Sequence, residues 1–93
     1  MKVIMYTLKE CPYCDNLKQV LNEQKIPFIE KDVEINELEY EKFSKAVKSD
    51  FLPAILIGKK AFIPEVSFKT IDQAGKTIKN YLLEQSRHEN HLD

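Results

Sequence analysis

Two stretches of the chain are apolar without a break, Val3-Ile4-Met5-Tyr6 and Ala54-Ile55-Leu56-Ile57. Each is too short for a helix, and both are rich in β-branched or aromatic residues, the pattern of a strand buried on both faces. They predict two central strands, the first running from Lys2 to Leu8 and the second opened by Pro53. Phe28 to Val33 turns from apolar to charged along its length, as an exposed or edge strand does. Ala61-Phe62-Ile63 follows the second central strand after only Gly58-Lys59-Lys60. A parallel return needs a longer crossover, so this segment must be an antiparallel hairpin partner.

Between the strands the apolar period changes to that of a helix. Cys14, Leu17, Val20 and Leu21 share one helical face until Pro27 forbids continuation. Asn36-Glu37-Leu38-Glu39 matches a capping box, and Leu38, Phe43, Ala46 and Val47 supply an apolar stripe for a second helix. Glu37, Glu39, Glu41 and Lys42 read as its solvated face. Thr70-Ile71-Asp72-Gln73 repeats the box pattern before Ile71, Ala74, Ile78, Tyr81 and Leu82, the core face of a third helix. Gly75 inside that helix costs about 1 kcal/mol of propensity, which close approach to a neighbour would justify. The order is β-α-β-α-β-β-α, with the first two strands parallel across a right-handed crossover. Placing the wholly apolar strands in the middle gives a four-stranded mixed sheet with helices on both faces, an α/β sandwich. No repeat or linker divides the chain, so residues 1–86 read as one domain and residues 87–93 as a frayed polar tail.

Composition adds exclusions. The 93 residues are 43% hydrophobic and 31% charged, near the globular average and away from the signature of disorder. Fourteen Lys and Arg against fifteen Asp and Glu leave a net charge of -1, so no strong field invites nucleic acid or anionic lipid. No apolar run approaches the roughly 20 residues that span a bilayer, and the start lacks a signal-peptide pattern. A monomer in a reducing cytoplasm is expected.

Both cysteines lie in Cys11-Pro12-Tyr13-Cys14, between the first strand and the first helix. A bridge over so short a loop adds little stability, which leaves redox chemistry or metal binding as its use. The helix N-terminus turns unpartnered N–H groups and a positive dipole end toward the first sulfur, favouring the thiolate. Pro12 suits the first helical position, where its missing N–H would have no partner. Cys11 is therefore the candidate nucleophile for a substrate disulfide, and Cys14 the thiol that resolves the mixed disulfide. Lys9 would support the thiolate, although Glu10 beside it acts in the opposite sense. Zinc held by Cys11, Cys14, His88 and His91 is the rival, and the two-residue gap between the histidines falls outside the usual spacing.

With Tyr6-Thr7 leading from the strand, the Cys11–Cys14 motif, Lys18 in the helix and Leu52-Pro53-Ala54-Ile55 further on, the sequence resembles the glutaredoxins of the thioredoxin-like superfamily. The resemblance implies a thioredoxin-like (glutaredoxin) sandwich and an enzyme that reduces protein disulfides or glutathione mixed disulfides. It implies glutathione as co-substrate with no tightly bound cofactor, Tyr13 beside glutathione, the Leu52 backbone pairing with the bound peptide, and a cis Pro53 facing the sulfurs. Ribonucleotide reductase is a plausible protein substrate in this family. Some members instead hold an iron–sulfur cluster between two subunits, a use that Pro12 disfavours. Phe51-Leu52 stands where the family usually has Thr-Val, and Lys9 lies two rather than three places before the first Cys. The Gly-Gly and following Asp that bind the γ-glutamyl end of glutathione are replaced by Ile63-Pro64-Glu65-Val66-Ser67. Weak glutathione binding is therefore expected, and recharging by a flavoenzyme of the thioredoxin-reductase type is the alternative.

Overall fold

A computed structural model describes residues 2–91, with side chains described for residues 2–86. The elements are β1 (Val3–Thr7), α1 (Pro12–Glu23), β2 (Ile29–Asp32), α2 (Glu37–Val47), β3 (Ala54–Ile57), β4 (Lys60–Phe62) and α3 (Ile71–His91). The strands form one sheet in the order β2-β1-β3-β4. β1 and β2 are parallel, with Met5 opposite Glu30 and Thr7 opposite Asp32. β3 runs antiparallel to both β1 and β4, with Tyr6 opposite Ala54 and Ile55 opposite Phe62. The two wholly apolar segments thus occupy the centre, and the predicted order and mixed sheet are those observed.

Alternation along β1 divides the interior into two cores. Val3 and Met5 join Leu17, Leu21, Ile55, Ile57, Ala74 and Ile78 on the face covered by α1 and α3. Tyr6 joins Phe43, Ala54 and Ile63 on the face covered by α2. Leu17, Leu21, Ile55, Ile57 and Ile78 are wholly buried, and each such side chain contributes about 1.5–3 kcal/mol from lost water contact. α1 and α3 pack so closely that a Cβ on Gly75 would lie 2.5 Å from Val20 Cγ1. That contact accounts for the glycine inside a helix. α1 stops in a Schellman motif: Lys25 is left-handed at φ 58°, Ile26 N–H donates to the Leu21 carbonyl at 2.9 Å, and Lys25 N–H donates to that of Asn22 at 3.0 Å.

α2 departs from its sequence reading. Its Asn36 cap makes no side-chain capping bond, and Asn36 Nδ2 donates instead to the Asp32 carbonyl at 3.0 Å. Glu39, the box partner, is drawn away to accept from the Tyr6 phenol and the Lys31 ammonium. It is therefore no idle member of a solvated face. Leu38 and Ala46 point into solvent, while Tyr40, Phe43 and Val47 meet the sheet. α2 is anchored by its aromatic rings, with the Tyr6 and Phe43 centroids 4.7 Å apart, so Phe43 and Val47 of the predicted stripe stay on the core while Leu38 and Ala46 turn off it.

The box of α3 does form, displaced by one residue at one bond. Gln73 N–H donates to Thr70 Oγ1 at 3.1 Å, and Gln73 Oε1 accepts from Lys69 N–H at 2.9 Å. The backbone continues helical through His91, since no Pro or Gly interrupts residues 87–91. The side chains of His88 and His91, the rival zinc ligands, lie outside the described residues, as do residues 92 and 93.

Candidate active site

Cys11 is the N-cap of α1, with extended backbone at φ -108° and ψ 100° and Pro12 following in the first turn. Its Sγ accepts a hydrogen bond from Cys14 N–H at 3.2 Å, and its carbonyl accepts from Asp15 N–H at 3.1 Å. The sulfur thus occupies the place where a helix stabilises negative charge. The two cysteines are joined as a disulfide, their Cα atoms 5.2 Å apart. Cys14 is completely buried and Cys11 only partly, so an incoming substrate meets Cys11 first. Glu10, just before the motif, takes a left-handed backbone at φ 60° that turns the chain from β1 into the helix.

A groove of about 370 Å³ opens beside the motif. Tyr13 forms one wall, and Phe51, Leu52 and Pro53 another. The Leu52–Pro53 peptide bond is cis. Of the residues singled out from sequence, the groove therefore brings together Tyr13, which lies between the two cysteines, with Leu52 and Pro53. Lys9 is exposed on the loop before Cys11 and does not line it.

The far wall is built by Pro64, Glu65, Phe68, Lys69, Thr70 and Ile71. Phe68 had no sequence signal, and Ile71 was read only as part of the core face of α3; both pack on the core and also border the groove. Here the chain folds into a tight loop. Glu65 N–H donates to the Phe68 carbonyl at 2.8 Å, Ser67 N–H to the Ile63 carbonyl at 2.9 Å, and Ile63 N–H to Ser67 Oγ at 3.1 Å. Glu65 carries a left-handed φ of 70° to close it. The N–H groups of Glu65, Val66 and Ser67 are all spent inside the loop, and Pro64 has none.

A polar network flanks the motif on the other side of α1. Buried Thr7 donates through Oγ1 to Glu30 at 2.9 Å, and Lys18 Nζ reaches the same Glu30 oxygen at 3.0 Å and Asp15 at 3.3 Å. Glu30 first, and then Asp15, hold the Lys18 ammonium above its ordinary range, against partial desolvation. Sequence reading noted Lys18 but not its partners, because Glu30 arrives only through the pairing of β2 with β1.

A four-stranded sheet carrying a disulfide-forming Cys-x-x-Cys at the end of a central strand defines a thiol redox protein of thioredoxin-like fold. The glutaredoxin family model matches residues 3–63, and the chain belongs to the glutaredoxin family. In fold it is similar to the thioredoxin-like protein BC3987, at 21% identity and a TM-score of 0.65 over 82% of this chain and 99% of that one. It is also similar to the glutaredoxin-like protein NrdH-redoxin from Escherichia coli, at 19% identity and a TM-score of 0.61 over 78% and 93% of the two chains. A glutaredoxin from Brucella melitensis aligns at 24% identity and a TM-score of 0.59, covering 99% of this chain and 87% of its own. No curated protein matches the sequence. Among the described residues no helix is long and apolar enough to cross a membrane.

Proposed function

We infer that the chain is a thiol-disulfide oxidoreductase that reduces protein disulfides and glutathione mixed disulfides. The observation that carries this reading is Cys11 at a helix N-cap, partly exposed beside a groove, with Cys14 buried behind it. In the reduced protein the Cys11 thiolate attacks one sulfur of the substrate disulfide, forming a mixed disulfide and expelling the first substrate thiol. Cys14, losing its proton, then attacks Cys11 Sγ. The second substrate thiol leaves, and the Cys11–Cys14 disulfide remains, two electrons having passed to the substrate. Tyr13, Leu52 and Pro53 hold the chain on either side of the attacked sulfur, and ribonucleotide reductase is a fitting client for such a dithiol. A reducing compartment such as the cytoplasm suits this cycle.

Glutathione is the electron donor that membership of the family suggests. A second reading, a flavoenzyme of the thioredoxin-reductase type, is favoured by one observation: the loop of residues 63–67 spends its N–H groups on itself, so few remain for a γ-glutamyl carboxylate. The NrdH-redoxin of similar fold is described as having a thioredoxin-like activity profile. Incubating the oxidised protein with glutathione plus glutathione reductase, and separately with thioredoxin reductase, then counting free thiols, distinguishes the two. Recharging by neither system would overturn the oxidoreductase reading itself.

A further inference from the structure

The loop between α2 and β3 carries two neighbouring apolar residues that the fold treats differently. Leu52 packs against the core beneath α2. Among the described residues Phe51 belongs to neither core, and it keeps 58% of its surface exposed. The backbone presenting it is held at both ends. α2 closes on Lys48, left-handed at φ 58°, Ser49 N–H donates to the Ser44 carbonyl at 3.1 Å, and Phe51 N–H donates to Ser49 Oγ at 3.2 Å. On the far side β3 begins at once, with Ala54 paired to Tyr6. A fixed turn, not a loose one, therefore holds the Phe51 ring in water.

One exposed ring needs no explanation by itself. Phe51, however, lines the same groove as Tyr13, which is 65% exposed and lies between the two cysteines. Tyr13 is two residues from Cys11, and two Cα steps span at most about 7.6 Å. An extended substrate advances about 3.3 Å per residue, so the side chains one or two places from the attacked cysteine are the ones that reach the groove. Its walls say what kind of side chain that is. Pro64, Phe68 and Ile71 add carbon surface to that of the two rings, and the charged members, Glu65 and Lys69, have opposite signs. The N–H groups of loop 63–67 are spent inside the loop, and Thr70 Oγ1 accepts from Gln73 N–H. An occupant therefore meets apolar surface with neither a net charge nor free loop donors, which favours an apolar side chain. The volume of about 370 Å³ lies near the low end of the roughly 300–1,000 Å³ of small-ligand sites, a size that suits side chains rather than a folded surface.

We propose that Phe51 is a specificity-determining residue: with Tyr13 it receives an apolar side chain one or two residues from the target cysteine, so that disulfides flanked by apolar residues are reduced in preference to those flanked by polar or charged ones. The proposal rests on the oxidoreductase reading above and names the substrate class of that same site. The chemical steps are unchanged, since Cys11 attacks and Cys14 resolves as before, and Phe51 touches the substrate away from the reacting sulfurs.

The test uses short peptides with one cysteine, each as the symmetrical disulfide of two copies, in which both neighbours of the cysteine are Leu, Ser, Asp or Lys. Fully reduced protein is mixed with each in a single turnover, and the second-order rate constant is divided by that of dithiothreitol with the same peptide, which removes intrinsic reactivity. The parent protein should prefer the Leu-flanked peptide over the Ser-flanked one by about ten-fold, with the Asp- and Lys-flanked peptides no faster than the Ser-flanked one. Phe51→Ser should reduce that ratio to about two-fold, and Phe51→Leu should restore most of it. The ratio is read within each protein, so a general loss of activity cancels. A parent protein without the preference, or a ratio undiminished in Phe51→Ser, would overturn the role of Phe51, as would an Asp-flanked peptide that is reduced fastest, which would assign the groove to Lys69. A parent protein that reduces none of the peptides, nor the mixed disulfide of glutathione with β-mercaptoethanol, would instead overturn the reading on which the proposal rests.

Discussion

The backbone N–H of Cys14 points at the sulfur of Cys11 from 3.2 Å, so the first turn of α1 solvates whatever charge that sulfur carries. In the reduced protein the same donor should favour thiolate over thiol. We expect the Cys11 thiol to titrate below the free value of about 8.5 while Cys14, buried at the same helix, stays protonated. Thiolate absorbance at rising pH reports this directly, and a midpoint at or above the free value would exclude the N-cap as an activating device.

The two cysteines should separate by substrate. Cys14→Ser leaves the nucleophile intact and should retain reduction of glutathione mixed disulfides, while protein-disulfide reduction is lost for want of a resolving thiol. Cys11→Ser should lose both activities. Parallel assays on the two substrate types decide it, and activity surviving in Cys11→Ser would reverse the roles.

Loop 63–67 should make glutathione a poor ligand. Losing one or two charge-assisted hydrogen bonds, at roughly 1.5–3 kcal/mol each, weakens binding about ten-fold or more. Calorimetric titration of glutathione into Cys14→Ser, beside a glutaredoxin carrying Gly-Gly at this point, measures the difference. Equal affinities would mean that Lys69 or Thr70 at the groove wall replaces the missing donors.

Gly75→Ala should destabilise the protein although alanine is the better helix former. The gain in propensity is about 1 kcal/mol, whereas the new Cβ would stand 2.5 Å from Val20 Cγ1, on a β-branched side chain with little rotamer freedom. Overpacking of this kind costs about 1–3 kcal/mol, so the net loss should be about 1 kcal/mol. Urea unfolding of Gly75→Ala, Val20→Ala and the double variant checks it: in the double variant the two changes should partly cancel.

Glu39 should give the fold an acid-sensitive component. Lys31 first, and then the Tyr6 phenol, hold its carboxyl below the ordinary 4.5, while burial drives the Tyr6 phenol upward, helped by Glu39. A carboxyl whose value is lower folded than unfolded stabilises the fold fully above the unfolded value, and that contribution fades as pH falls through the folded one. Glu39→Gln should therefore be the less stable protein at neutral pH and converge on the parent only as pH falls through the lowered value of the folded carboxyl. The effect is small, because the pair is substantially exposed. Melting curves at stepped pH test it, and a constant gap between the two proteins would assign the loss to geometry rather than charge.

Strand order, hairpin and helix number were legible in the sequence because they follow from local period and connection length. The unbroken apolar runs at Val3–Tyr6 and Ala54–Ile57 had to be central, and the two residues between β3 and β4 allowed no other pairing. The redox pair was legible for a similar reason, since a strand followed by Cys-Pro-Tyr-Cys and a helix fixes where Cys11 sits within two or three residues.

Which way α2 faces, and what surrounds the sulfurs, was not local. The period of Leu38, Phe43, Ala46 and Val47 marked a stripe, but the Tyr6 ring beneath the helix chose Tyr40 and Phe43 and left Leu38 in water. Glu39 could satisfy a cap or a distant phenol with similar bonds, and only the packing of α2 over β1 brings the phenol within 2.8 Å. The groove likewise joins residues from three separate segments, the first turn of α1, the loop before β3 and the loop leading into α3, which no spacing along the chain encodes. Sequence by itself determined the backbone's path and the chemistry it carries; the tertiary structure decided which side chains share that chemistry's surroundings, because burial is a property of the assembled faces and not of any one segment.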